Sequence, residues 1–176
     1  MKRLKFALLV VENNDYQTEQ TVDAKHAAHE CDCDLQVVQT GHDAVTQSQE
    51  VLKLLYTPAE TRPDGILFEP VGTPLAQAAK IAASSGVGWV VLNREVDYMH
   101  EIRSQSKSPS FCITTDHEEV GRIQGEQISK LLPRGGSVLY IHGPSDNKAA
   151  LRRAAAMQAA KPSNVEVRIL LSLIHI

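Results

Sequence analysis

Asp64–Arg94 reads DGILFEPVGTPLAQAAKIAASSGVGWVVLNR. It begins with the apolar run Gly65–Phe68, which stops in Glu69-Pro70, and closes with Trp89–Leu92, which stops in Asn93-Arg94. Between the runs, Thr73 can cap a helix and Pro74 suits its first position. Leu75, Ala78, Ala79 and Ala82 then fall on one helical face, and Gly86 fits the left-handed position that follows a helix. The stretch therefore predicts strand, helix, strand, the unit from which parallel sheets are built.

The same reading extends in both directions. Further apolar runs begin near Phe6, Leu35, Phe111, Val138 and Val165, with helix-like segments between most of them. Asp43 can cap a helix whose buried face is expected to include Val45, Leu52 and Leu55. Asp116 with Glu119 resembles a capping box ahead of an apolar stripe of Val120, Ile123, Ile128 and Leu131. Pro133 and Gly135-Gly136 end that helix, and Asn147–Ala160 forms an Ala-rich helix stopped by Lys161-Pro162. His100–Ser110 is serine-rich and lacks a clear period, which predicts a surface loop or the approach to a domain crossover. The fold class expected is α/β: a parallel sheet in a three-layer α-β-α sandwich.

Composition narrows the function. The 176 residues are 43% hydrophobic and 22% charged, with net charge −3, pI 6.2 and mean hydropathy −0.20. That balance argues against a nucleic-acid partner. No apolar window reaches the ~20 residues of a membrane span, so direct insertion into a membrane is not expected. Phe6–Val11 runs into Glu12–Asp15 without a small-residue cleavage site, so no signal peptide is visible. The three cysteines, Cys31, Cys33 and Cys112, form no disulfide framework, and Cys31-Asp32-Cys33 reads as a helix end rather than a metal site. No Gly-rich phosphate loop and no nucleophile elbow occurs. The chain is expected to be no enzyme and to need no cofactor or metal.

Polar residues collect where apolar runs end: Glu12–Gln17, Glu69, Asn93-Arg94 and Thr114–Asp116. In open parallel sheets, ligands bind beyond the carboxyl ends of the strands. Several polar ends there suit a hydroxyl-rich small molecule. Glu12, Asp15, Glu69 and Asp116 could also form the acidic site of a phospho-receiver domain. That would need an aspartate at position 69 and a lysine ending a later strand, and neither is present.

Four motifs, in order, resemble the type I periplasmic binding proteins, the family of ribose-binding-type sugar binders whose fold lactose-type repressors share. They are Phe6–Gln17 (FALLVVENNDYQ), Asp64–Gly86, Val87–Glu95 (VGWVVLNRE) and Thr115–Lys130 with Ser137–Met157. The resemblance covers about Lys5 to Leu170. It implies two lobes closing on a sugar: residues 4–112 as the first lobe and 113–170 as the hinge crossover and start of the second. The C-terminal two-fifths of a full-length protein would then lie outside this sequence, leaving apolar faces near Val138–Ile141 uncovered. Residues 171–176 (LSLIHI) resemble translated sequencing-adaptor DNA and are expected to be a non-native tail, the alternative being a natural continuation of the strand before them.

The resemblance also implies ligand-binding residues. Asn14 can donate to and accept from hydroxyls, and Tyr16 can pack on the C–H face of a sugar ring. Gln17 stands where many sugar binders carry a second aromatic. Asn93 offers a matched donor and acceptor, and Arg94 a planar fork for vicinal hydroxyls. Asp116 is either helix cap or hinge residue beside the ligand, and Arg153 falls where the family has a ligand-binding arginine, with Arg152 adjacent. Glu69 is expected to line the cleft without touching ligand. The expected function is a solute-binding protein for a monosaccharide or polyol, working with the permease subunits of an ABC transporter in the periplasm or cell envelope. The alternative is a ligand-sensing domain of a transcriptional regulator or sensor kinase; the absence of a visible signal peptide leaves the cytoplasm open.

Overall fold

The computed structural model describes residues 2–72, 75–143 and 147–171, with only the backbone of Leu171. The chain divides into two compact units, Met1–Thr114 and Thr115–Ile176.

The first unit alternates β1 (Lys5–Val10), α1 (Asp15–Glu30), β2 (Asp34–Gln39), α2 (Ala44–Leu55), β3 (Gly65–Phe68), α3 (Ala76–Ser84), β4 (Gly88–Leu92), α4 (Met99–Gln105) and β5 (Ser110–Ile113). All neighbouring strands pair parallel, in the order β2-β1-β3-β4-β5. Reversal of direction at β1 places α1 on one face and α2, α3 and α4 on the other. The larger core joins Leu9, Phe68, Trp89 and Val91 to Val51, Leu55, Ala79, Ala82 and Ile102 from those three helices. Phe68 and Trp89 meet edge to face at 4.7 Å, a preferred aromatic geometry. On the opposite face Leu8, Val10 and Leu92 pack with Leu35, Val37 and Ala24 of α1. Apolar side chains thus alternate to both faces, which is why the strands read as unbroken hydrophobic runs.

Local signals act largely as expected. Asp43 caps α2 through the Thr46 N–H, and Gly86 has φ +74° after α3, a conformation natural to glycine. α3 buries Leu75, Ala78, Ala79 and Ala82, while the expected cap Thr73 and Pro74 lie outside the described residues. Cys31 ends α1 as its C-cap and all three cysteines are free thiols.

Two expectations for this unit need correction. His100–Ser110 is not one loop: α4 occupies Met99–Gln105. Met99 and Ile102, one helical turn apart, are both buried in the core, and the Ser104 hydroxyl bonds back to the Glu101 carbonyl at 2.7 Å. Tertiary burial of two residues outweighs a polar local sequence. In α2, Val45 is 63% exposed and the buried face is Gln47, Val51, Leu54 and Leu55.

The second unit holds α5 (His117–Leu131), β6 (Gly136–His142), α6 (Lys148–Ala160) and β7 (Val165–Leu171), with β6 and β7 parallel. Asp116 caps α5 through the Glu119 N–H at 3.0 Å, and Asn147 caps α6. The capping box is only half made, because the Glu119 carboxylate pairs with Arg122 at 2.7 Å instead of reaching back. Of the apolar stripe expected on α5, Val120 and Ile128 are half-buried and Ile123 and Leu131 exposed, while Gly121 and Gly125 between them are buried. A Cβ on Gly121 would press into the Arg153 carbonyl oxygen and lie 2.7 Å from Ala156 Cβ; one on Gly125 would lie 2.6 Å from Ala160 Cβ. The helices approach so closely that only glycine fits between them. Leu139 and Ile141 of β6 are each 64% exposed. Residues 172–176 of the expected tail lie outside the described residues, and Leu171 ends β7.

Among the described residues no helix is long and apolar enough to cross a membrane.

Gly121→Ala forces a methyl group into the α6 backbone and is expected to destabilise the second unit by about 2 kcal/mol, as overpacking does. Amide hydrogen exchange along α5 and α6 should accelerate while β1–β5 stay protected; unchanged protection would show that the helices can part at little cost.

Candidate functional site

The first unit's polar rim is built at the carboxyl ends of β1, β3 and β4. Asn14 is the N-cap of α1: its Oδ1 accepts from the Gln17 N–H at 2.9 Å, and its Nδ2 donates to Glu12 Oε2 at 2.5 Å. Glu12 also faces His42 Nδ1 at 3.2 Å. Tyr16, on the first turn of α1, is 57% exposed, yet its hydroxyl donates to Asn93 Oδ1 at 2.8 Å. The ring is held at its tip and open along its length.

Gln17 is only 4% exposed. Its Oε1 accepts from both Val11 N–H and Glu12 N–H at 2.9 Å, and its Nε2 donates to Glu69 Oε2 at 3.3 Å. Both ends of this amide are engaged within the protein, where it closes the turn out of β1.

Asn93 has φ +62°, a left-handed conformation that asparagine tolerates better than most residues. It breaks the sheet at the end of β4. Its N–H donates to the Ile113 carbonyl at 2.8 Å, and its own carbonyl accepts from Thr114 Oγ1 at 3.3 Å. Its Nδ2 donates to Glu69 Oε2 at 2.8 Å. Arg94 follows with its side chain 45% exposed and Nε 3.6 Å from Glu69 Oε1. So exposed a pair stabilises little, and the remaining guanidinium donors are open to a ligand.

Asn14, Tyr16, Gln17, Asn93 and Arg94 thus share one rim, knit together through Glu69. Asp116 and Arg153 belong to the second unit. Asp116 is the α5 cap, and Arg153 is half-buried on α6 with its Nε 3.4 Å from the Ala149 carbonyl.

The sequence reading missed Gln47. It is fully buried, donating from Nε2 to the Glu69 carbonyl at 2.8 Å and accepting the Val71 N–H at 2.9 Å. It anchors the segment after β3, where no regular structure satisfies those backbone groups. A signal existed: Gln47 lies four and eight residues before Val51 and Leu55, on the buried face of α2.

The rim offers an aromatic face, a guanidinium, amides and carboxylates, groups that recognise hydroxyls through paired donors and acceptors.

Residues 6–171 match the family model described as periplasmic binding protein domain. A stretch of 91 residues is 29% identical to the D-xylose-binding periplasmic protein of Escherichia coli (strain K12), covering 52% of this chain and 25% of that protein. Among solved structures, an ABC transporter periplasmic solute binding protein from Actinobacillus succinogenes 130z with bound D-allose superposes with TM-score 0.81 at 16% identity, over 97% of this chain and 59% of that one. An ABC transporter solute binding protein from Mycobacterium smegmatis with bound glycerol gives TM-score 0.75 at 20% identity, over 96% and 56%. The chain spans 56–59% of these two structures.

Gln47→Ala leaves the Glu69 carbonyl and the Val71 N–H without a partner in a dry site and is expected to cost about 2–3 kcal/mol. Thermal melting should show it as a drop of several degrees; a drop within error would mean that water replaces the amide.

Proposed function

The chain belongs to the periplasmic binding protein domain family, whose members are binding proteins and not enzymes, and on that premise we propose that it carries the first part of a binding site for a monosaccharide or polyol. The observation that carries the reading is the rim where Tyr16, Asn93 and Arg94 meet around Glu69. An exposed aromatic face beside an arginine fork and amides matches the two surfaces of a sugar, C–H on its faces and hydroxyls at its edge. The named relatives support it, since one is called D-xylose-binding and the two structures hold D-allose and glycerol.

In this reading Asn14, Tyr16, Gln17, Asn93, Arg94, Asp116 and Arg153 form the ligand-binding set, Asn14 and Gln17 chiefly by shaping the turn after β1. Residues 4–112 are the first lobe, and 113–170 are the hinge crossover and the start of the second. The whole protein serves as the solute-binding component of an ABC-type sugar transporter in the cell envelope, where the ligand shifts its conformational equilibrium by differential affinity and permease subunits read the result. The transport relatives do not favour the sensing alternative.

Thermal melting of the whole protein, with D-xylose, D-allose, D-ribose, myo-inositol and glycerol each at millimolar concentration, tests this. A ligand at 100 times its Kd adds about 2.7 kcal/mol, so one of the panel should raise Tm by about 5 °C or more. No shift with any of them contradicts the reading.

A further inference from the structure

Four polar side chains reach one carboxylate group or its own main chain. Glu69 Oε2 accepts from Asn93 Nδ2 at 2.8 Å and from Gln17 Nε2 at 3.3 Å, while Oε1 lies 3.6 Å from Arg94 Nε. The carbonyl of the same residue is held at 2.8 Å by the buried Gln47. The Glu69 side chain is 20% exposed, so it is fixed from below and reached by water only at its edge.

A carboxylate can only accept, whereas a primary amide has a donor end and an acceptor end. Glu69 therefore dictates which way the Asn93 amide points. With Nδ2 turned to Glu69, Oδ1 is turned outward, and there it accepts from the Tyr16 hydroxyl at 2.8 Å. Gln17 has the same polarity: Nε2 to Glu69 and Oε1 to the two N–H groups of the β1 turn. Without the carboxylate the Asn93 amide is free to reverse, and a reversed amide presents donors to a hydroxyl that then has to turn as well. Tyr16 is thus oriented by a group it does not touch.

We infer that Glu69 is the positioning residue of this rim: it sets the polarity of the Asn93 amide and, through it, the place of the Tyr16 ring. The inference rests on the reading of the rim as a sugar site.

Calorimetric titration of the whole protein tests it, using whichever sugar of the panel above binds the unaltered protein. Glu69→Met keeps the length of the side chain and removes the acceptor, and it should weaken binding about tenfold. Asn93→Asp sets two carboxylates against each other and should weaken binding by a similar factor. Adding Glu69→Gln to Asn93→Asp puts a donor at position 69 opposite the new acceptor, and affinity should return to within about threefold of the unaltered protein. Melting temperatures run alongside identify any variant that has lost its fold. The paired variants decide the matter even if Glu69→Met does not fold. If Asn93→Asp with Glu69→Gln binds no better than Asn93→Asp alone, or if folded Glu69→Met binds as tightly as the unaltered protein, Glu69 is not the positioning residue. If the unaltered protein binds none of the panel, the sugar reading itself fails and takes this inference with it.

Discussion

A parallel sheet covered on both faces has only its strand ends to offer to chemistry. Every strand of the first unit pairs parallel with its neighbours. The side chains along β1, β3 and β4 are committed to one core or the other. The backbone groups that leave the sheet at the carboxyl ends must still find partners. Here Gln17 takes two N–H groups after β1, Gln47 takes a carbonyl and an N–H after β3, and a left-handed Asn93 turns the chain after β4. The rim is therefore first a solution to a backbone problem, and the groups left over from it, the Tyr16 ring and the Arg94 fork, are those able to meet a ligand.

This explains what could be read from the sequence and what could not. Strands buried on both faces announce themselves as apolar runs, and helices between them announce themselves through caps such as Asp43 and Asp116, so the α/β architecture was legible. α4 was not, because only Met99 and Ile102 carry its apolar signal and the polar residues His100, Glu101, Arg103, Ser104 and Gln105 fill the remainder. The α2 face was misread at Val45 because a buried glutamine, Gln47, does not look like a core residue until its two backbone partners are known. In the second unit the close approach of α5 to α6 falls on the smallest residues of α5, Gly121 and Gly125, and not on its large apolar ones. Apolar periodicity records burial against a distant surface; it is silent where two backbones nearly touch.

The site shows the same division. Strand-end residue types such as Asn93-Arg94 were visible as a set. Their wiring was not, since hydrogen-bond polarity between residues 17, 69 and 93 belongs to three separate strand ends. Asn14 and Gln17 illustrate the point: each has the chemistry to bind a hydroxyl, and each spends that chemistry on the turn it sits in. Side chains that hold the loop in place preorganise the ones that remain exposed.

A crystal structure of the whole protein with a sugar or polyol bound should show the ligand ring against the face of Tyr16, with hydroxyls about 3 Å from the Arg94 guanidinium. A ligand seated elsewhere, with Tyr16 and Arg94 both untouched, would contradict the reading of this rim as a sugar site.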